Sequence, residues 1–410
     1  MTSLFHLEKE GDIDQLTKLL RKSENEAVRG RAAEILGDVD VREEEEENRV
    51  VFSLIGAVED DDSDVVRAAA IDALDTREAI EELITAIAGE KIATEGAEWV
   101  KAEAFVEALT SDQMEMRMAG ANVLGRIGNR AATPPLLKQL DDPYPLVRTR
   151  VVRALGRIED PRATSTLVNA LDDESTEVRR EAADALGRIG GGEALSALLD
   201  LMDDDVETIR HIAAVSLGNF GSSKPVDALV GALSDESDVV RRAAVFSLIE
   251  VLSNAPPSES HALRETIVEK LSARDGFIVV DSLAEILEEG TQPHQRRNAA
   301  WIIGKVTTEQ TQSKAIRALV NVLGDDDQMT AQFAATSLAT IGGENVEEAL
   351  LVMLDKPDAT NAAMAKAAFT LGKVGGERSR DRLDQLINQT DSEKVRKRAF
   401  AALSKLGGRN

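Results

Sequence analysis

Four histidines, His6, His211, His261 and His294, are the only imidazoles in the chain, and there is no cysteine. The four lie far apart, so a site of several imidazoles would need distant segments to converge. The lack of Cys excludes disulfides, thiolate zinc ligands and a Cys nucleophile. Carboxylates abound, with 74 Asp and Glu against 48 Lys and Arg. Pairs of carboxylates at any given spacing therefore say nothing about acid–base catalysis. Gly190-Gly191-Gly192 reads as a helix terminator followed by a linker rather than a phosphate loop, and Gly342-Gly343 and Gly375-Gly376 recur at the same place in a repeated pattern. No residue stands out as catalytic, cofactor-binding or metal-ligating. The sequence predicts a non-enzymatic protein without cofactors.

That pattern is the organisation of the chain. Its clearest copy is Val178-Arg179-Arg180-Glu181-Ala182-Ala183-Asp184-Ala185-Leu186-Gly187-Arg188-Ile189-Gly190, and other copies align on Val28, Val66, Met116, Val147, Ile209, Val240 and Val395. From Met116 through Val147, Val178 and Ile209 to Val240 the step is 31 residues. Weaker copies begin at Gln295, Thr330 and Ala363, where the Val-Arg pair is lost, for about eleven in all. Counting from the leading residue as offset 0, offsets 0, 4, 8 and 11 of the clearest copy are apolar, which is one face of a helix. An Asp-rich turn such as Asp172-Asp173-Glu174-Ser175 supplies N-caps. Gly187 and Gly190 end the helix, and a second apolar helix follows, for example over 194–202. Two short helices cannot bury their apolar faces alone, so neighbouring pairs must stack into a solenoid.

The pattern resembles the HEAT repeat family in its short variety, first recognised in phycobilin lyase subunits: Val-Arg-x-x-Ala-Ala-x-x-Leu-Gly-x-Ile-Gly, matched throughout by residues 178–190. Residues 209–221 and 147–159 match with substitutions, Ile209 and Phe220 in the first, Val151, Val152 and Glu159 in the second. The fold expected is all-α, an α-solenoid forming a right-handed superhelix of helical hairpins. Residues 1–253 form an N-terminal array with an irregular insertion near 91–111, expected to hold one added helix containing Trp99. Residues 254–294 open with Asn254-Ala255-Pro256-Pro257 and form an irregular segment. Residues 295–410 continue the array. The resemblance is specific for fold and nearly silent on function, because such arrays serve as scaffolds, adaptors, lyase subunits and occasional enzymes. The HEAT-like deoxyhypusine hydroxylases bind iron through His-Glu dipeptides, and no His here precedes a Glu. Repeat likeness to lyase subunits transfers no catalytic residue.

Offset 1 is Arg in Arg29, Arg67, Arg117, Arg148, Arg179, Arg210, Arg241 and Arg396. At the margin of the buried face such charges need partners, and in HEAT arrays this Arg bonds to an Asp of a neighbouring turn, so a structural ladder is expected. Offset 6 points away from the buried face, onto the helix that lines the concave surface of such arrays. It holds Glu34, Asp72, Asn122, Arg153 and Asp184, and then Val215, Phe246, Trp301, Thr336, Phe369 and Ala401. Offset 3 adds Ile212 and Phe333. With only 3% aromatic residues in the chain, this concentration reads as a partner-binding stripe, unless neighbouring helices cover it. Basic residues accompany it at offset 2 (Arg180, Arg242, Arg297, Lys397) and offset 10 (Arg126, Arg157, Arg188, Lys305, Lys373, Lys405). Offset 10 is also explained by the helix C-terminus.

The formal charge is −26. Such an excess repels itself in dilute buffer and keeps a protein soluble where salt screens it, the balance of a halophilic cytoplasmic protein. Met1–Asp12 has no apolar core of signal-peptide length, and no apolar run approaches a membrane span. The expected function is that of a scaffold or adaptor whose concave face holds a protein partner, an acidic receiver-type domain being one candidate. The resemblance adds that halophilic archaea encode similar HEAT proteins beside chemotaxis and motility genes. Nucleic acid held in a basic concave groove is the alternative, disfavoured by the net charge, and a lyase-type subunit is less favoured still.

Overall fold

Each copy of the motif is one helix in the computed structural model, which describes residues 4–88 and 98–407. The eleven motif helices are α1 (Glu26–Asp38), α2 (Asp64–Thr76), α3 (Met114–Ile127), α4 (Pro145–Ile158), α5 (Thr176–Ile189), α6 (Glu207–Leu217), α7 (Asp238–Asn254), α8 (Pro293–Val306), α9 (Gln328–Ile341), α10 (Asn361–Val374) and α11 (Glu393–Lys405). In α1, α2, α7, α9, α10 and α11 the start is set by a short polar side chain that accepts an orphan N–H group of the first turn. Ser63 accepts from Val66, Ser237 from Val239 and Ser392 from Val395. Gly128 ends α3 in the left-handed region at φ 70°, where a Cβ is penalised. Glu159 holds the same place after α4 at φ 52°.

All regular elements among the described residues are helices. The chain divides into two compact units, Met1–Ala197 and Leu198–Asn410. In each, consecutive motif helices pack side by side and a preceding helix closes the hairpin, as Ile13–Lys22 does for α1 and Glu377–Gln389 for α11. The result is an all-α solenoid of helical hairpins. Its core is aliphatic. Offset 8 is fully buried in ten of the eleven copies, from Leu36 and Leu74 to Leu338 and Leu371. The close approach of neighbours depends on a small-residue contact. A Cβ on Gly125 would stand 2.7 Å from the Ala154 Cα, and one on Gly156 would stand 2.8 Å from the Ala185 Cβ.

Two stretches depart from the expected layout. In the insertion near 91–111, residues 91–97 lie outside the described residues, and Glu98–Ala108, which includes Trp99, is the helix that pairs with α3. The added element is Ile80–Ala88. Residues 254–294 are not irregular: they hold the helices Ser260–Ser272 and Gly276–Glu289. Gly276–Glu289 is the hairpin partner of α8, so Ser260–Ser272 is the supernumerary helix. Among the described residues no helix is long and apolar enough to cross a membrane.

Candidate protein-interaction site

The offset-1 arginines build the frame that carries the site. Arg148 donates from Nε and Nη2 to the two carboxylate oxygens of Asp173, 2.8 Å each, and from Nη1 to the Asp142 carbonyl at 2.8 Å. Arg117 grips the Asp142 carboxylate at 2.6 and 3.2 Å, while Arg179 donates to the Asp173 carbonyl at 2.7 Å. Each such Asp therefore joins two arginines, one through its side chain and one through its backbone. Arg29 and Arg67 share Asp61 in the same way, and Arg210 and Arg241 share Asp235. The Arg210 fork holds the Asp235 carboxyl below its usual range. Planar, charge-assisted forks of this kind are strong and directional.

The ladder differs from expectation in five places. Arg179 reaches no carboxylate among the described residues, and Arg396 bonds only the carbonyls of Thr390 and Ile387. The other three are Arg67, Arg241 and Arg296. Arg67 reaches Glu115 at 2.9 Å, because the next motif turn carries Ser111 where the other turns carry Asp. Arg241 pairs with Asp238 on its own helix. Arg296, in a copy whose Val-Arg pair was read as lost, forks onto Asp325 at 2.8 and 3.0 Å. The sequence did carry that signal: Gln295 replaces the apolar residue of the pair, but the Arg is retained.

The offset-6 face differs between the units. In the first unit it is a polar network. Asp72 of α2 accepts from Asn122 at 2.9 Å and from Arg150, two motif helices away on α4, at 2.6 Å. Asn122, expected to be exposed, is buried because this ion pair closes over it. Arg153 pairs with Glu181 at 2.9 Å, and Arg180 pairs with Glu177 at 2.5 Å and with Glu181 at 3.3 Å. The positive charge of Arg180 is thus largely answered within the chain.

In the second unit the face is apolar and aromatic. Ile212, Val215, Trp301, Phe333 and Phe369 are half-exposed and Phe246 is 37% exposed, so neighbouring repeats leave the row open. At its start a shallow cavity of about 360 Å³ is lined by His211, Val215, Val239, Arg242, Phe246 and Ile286. Burial pushes the His211 imidazole down from its ordinary pKa. Trp301 is flanked by Arg264 of the supernumerary helix at 5.3 Å and by Lys305 at 5.8 Å. Lys373, Lys405 and Arg398 surround the Phe369 ring at 4.7, 5.7 and 6.0 Å. Cations over aromatic faces gain modestly when exposed, so this grouping orients charge more than it stabilises the fold.

The carriers of positive charge are not the ones read from offset 2. Arg297 is spent on Asp327, at 2.5 and 2.7 Å, and only Arg242 is loosely held, 3.9 Å from Glu285. Lys305, Lys373, Arg398 and Lys405 are all exposed and make no ion pair among the described residues. Helices α8, α9 and α10 contain no carboxylate and α11 contains one, Glu393. Burial, then Arg398 and Lys394, lower the Lys366 pKa. In a chain of charge −26 this is a local inversion of sign. Arg398, at offset 3, was not singled out in the sequence, because only its place beside Phe369 of the preceding helix makes it informative. Among the described residues no three His, Asp or Glu side chains gather as metal ligands would.

HEAT repeat models match residues 7–75, 102–174, 133–218, 165–249 and 280–367. The chain is 57% identical over 411 residues to a HEAT repeat-containing taxis protein of Halobacterium salinarum, covering all of both. Two solved structures align over most of the chain. One is an engineered protein, 21% identical with a TM-score of 0.40, where the alignment covers 97% of this chain and 100% of the other. The other is a complex of Kap95p with RanGDP, 13% identical with a TM-score of 0.44, covering 98% of this chain and 63% of the other. With its repeats matched over residues 7–75, 102–249 and 280–367 and a relative of the same kind aligned over the whole chain, the chain belongs to the HEAT repeat family.

Proposed function

We propose that this protein is a non-enzymatic scaffold that binds an acidic protein partner along the motif-helix face of its second unit, within a taxis signalling system and in a cytoplasm of high salt. The observation that carries this reading is the open row Phe246, Trp301, Phe333 and Phe369, bordered by Lys305, Lys373, Arg398 and Lys405 on helices almost free of carboxylate. Aromatic and cationic side chains dominate interface energetics, and apolar anchors continue to hold when salt screens the charges. The name of the 57% identical relative supports the taxis setting, and an acidic receiver-type domain has the charge this face would select.

The test is affinity capture in multimolar salt with wild type and a Phe246→Ala, Phe333→Ala, Phe369→Ala variant, folding being checked by thermal melting. Capture of one defined acidic protein that falls at least tenfold in the folded variant is the expected result. Equal capture by both would place the partner elsewhere, and capture of nucleic acid instead would replace the reading.

A further inference from the structure

One interior link of the arginine ladder lacks its arginine. Offset 1 is Arg in nine of the eleven copies, Ala331 in α9 and Met364 in α10. Met364 is nearly as long as the side chain it replaces, and the turn ahead of it offers Thr390 instead of a carboxylate. Ala331 is different. It is too short to bridge the turns on its two sides, and both carry Asp at the ladder place, Asp325 behind and Asp358 ahead. In five other links the same two groups, a carbonyl behind and a side-chain carboxylate ahead, hold one guanidinium. Arg29 lies between Ser23 and Asp61, Arg117 between Ser111 and Asp142, and Arg148 between Asp142 and Asp173. Arg210 lies between Asp204 and Asp235, and Arg296 between Gly290 and Asp325.

A cavity of about 710 Å³ opens between these two turns, lined by Asp325 and Asp326 from the first and by Asp358 and Thr360 from the second. Its walls favour a cation. Glu288 and the three aspartates face Arg296 and Lys356, and Arg296 is already forked onto Asp325. The C-terminal turns of three partner helices, Gly276–Glu289, Gln312–Asn321 and Gly343–Leu354, complete the lining, and the carbonyl ends of helices attract positive charge. Asp358 is also unlike its counterparts. Every other side chain at the ladder place accepts from the N–H two residues on, as Ser23 does from Asn25 and Asp173 from Ser175. The Asp358 carboxylate is exposed and makes neither that bond nor an ion pair among the described residues.

We propose that this cavity is a guanidinium site, which takes an arginine from outside the chain between the Asp325 carbonyl and the Asp358 carboxylate. The bound group makes there the contacts that the chain's own arginines make in the other links. A planar guanidinium meets a carboxylate through two parallel N–H bonds and keeps further donors for a carbonyl, whereas an ammonium is a point charge without that fork. The same chemistry is carried by free arginine and by an arginine side chain of another polypeptide. The site lies at the turns that precede α9 and α10 rather than on the offset-6 face, so it does not rest on the reading of the aromatic row.

The test is titration calorimetry of the full chain in multimolar potassium chloride with L-arginine and with Nα-acetyl-L-arginine amide, which mimics an arginine within a polypeptide. The matching citrulline compounds keep the shape and lose the charge, and the matching lysine compounds keep the charge and lose the fork. At least one arginine probe is expected to bind about tenfold or more tighter than both of its controls. Binding of the amide assigns the site to an arginine side chain, and binding of L-arginine alone assigns it to the free amino acid. Asp358→Asn should weaken that binding at least tenfold. Ala331→Arg, which supplies the guanidinium from within, should abolish it. The proposal is overturned if neither arginine probe binds, if a citrulline or lysine control binds as tightly, or if Asp358→Asn binds like wild type. Retained binding by a folded Ala331→Arg overturns it as well. Folding is checked by thermal melting, and should Ala331→Arg not fold, Asp358→Asn, at an exposed position, decides alone.

Discussion

At the scale of single residues, most of the binding is done twice over by a few aspartates. Asp142, whose side chain is only 3% exposed, ties Arg117 through its carboxylate and Arg148 through its carbonyl. Removing the carboxylate strands a guanidinium at a nearly dry position, and breaking a buried pair in this way costs about 3 kcal/mol. Asp142→Ala is expected to lower the urea midpoint accordingly, whereas Arg31→Ala, whose partners Glu8 and Glu34 are half-exposed, should change it by less than about 1 kcal/mol. Equal midpoints for the two variants would show that the fork adds nothing beyond a surface pair. The spacing of these residues was visible in the sequence. What was not visible is how intramolecular pairing spends Arg180 and Arg297 while leaving Arg398 and Lys405 without an ion pair among the described residues, because that depends on which neighbouring helix faces which side chain.

At the scale of elements, the motif helices were legible because their punctuation is chemical: Ser, Asn or Asp at the start and, in the clearest copies, Gly at the end. Residues 254–294 were not, because Ser260–Ser272 and Gly276–Glu289 carry apolar residues without the Val-Arg and Leu-Gly landmarks. Asn122 misled for another reason. Helical phase places it outward correctly, but the Asp72–Arg150 pair reaches across α3 and covers it. The spacing between neighbouring motif helices rests on glycine. Gly156→Val would force side-chain atoms into the backbone and Cβ of Ala185. Overpacking of this kind costs about 1–3 kcal/mol and should appear as a lowered melting temperature. Gly192→Ala, at a glycine with open space around a Cβ, should leave melting within a degree or two of wild type.

At the scale of the whole molecule, charge decides the conditions under which the fold is stable. The surplus of −26 is spread over exposed carboxylates and is screened within about 3 Å at 1 M salt. Buried forks such as Arg117–Asp142 and Arg210–Asp235 are screened far less. Salt therefore removes more repulsion than attraction. The melting temperature is expected to rise steadily from about 0.1 M to multimolar potassium chloride, and a fall over that range would mean that surface ion pairs contribute more than the net charge costs. The acidic excess was the part of the molecular behaviour most readily read from composition. Its reversal along α8 to α11 was hidden by averaging over the chain.

The hand-to-hand arrangement of Arg117, Asp142, Arg148, Asp173 and Arg179 has a genetic consequence. Each fork spans 25 residues and each return to the carbonyl spans six, so one full link equals the 31-residue step of the motif. Excising residues 142–172 would deliver Asp173 to the place vacated by Asp142, with Arg117 in front of it and Arg179 behind. Within the ladder no charge would be orphaned by the cut, although Asp72 would lose its partner Arg150. Duplicating the same block would lengthen the chain of links just as cleanly, so recombination between copies can change the length of the array without first having to invent a new contact.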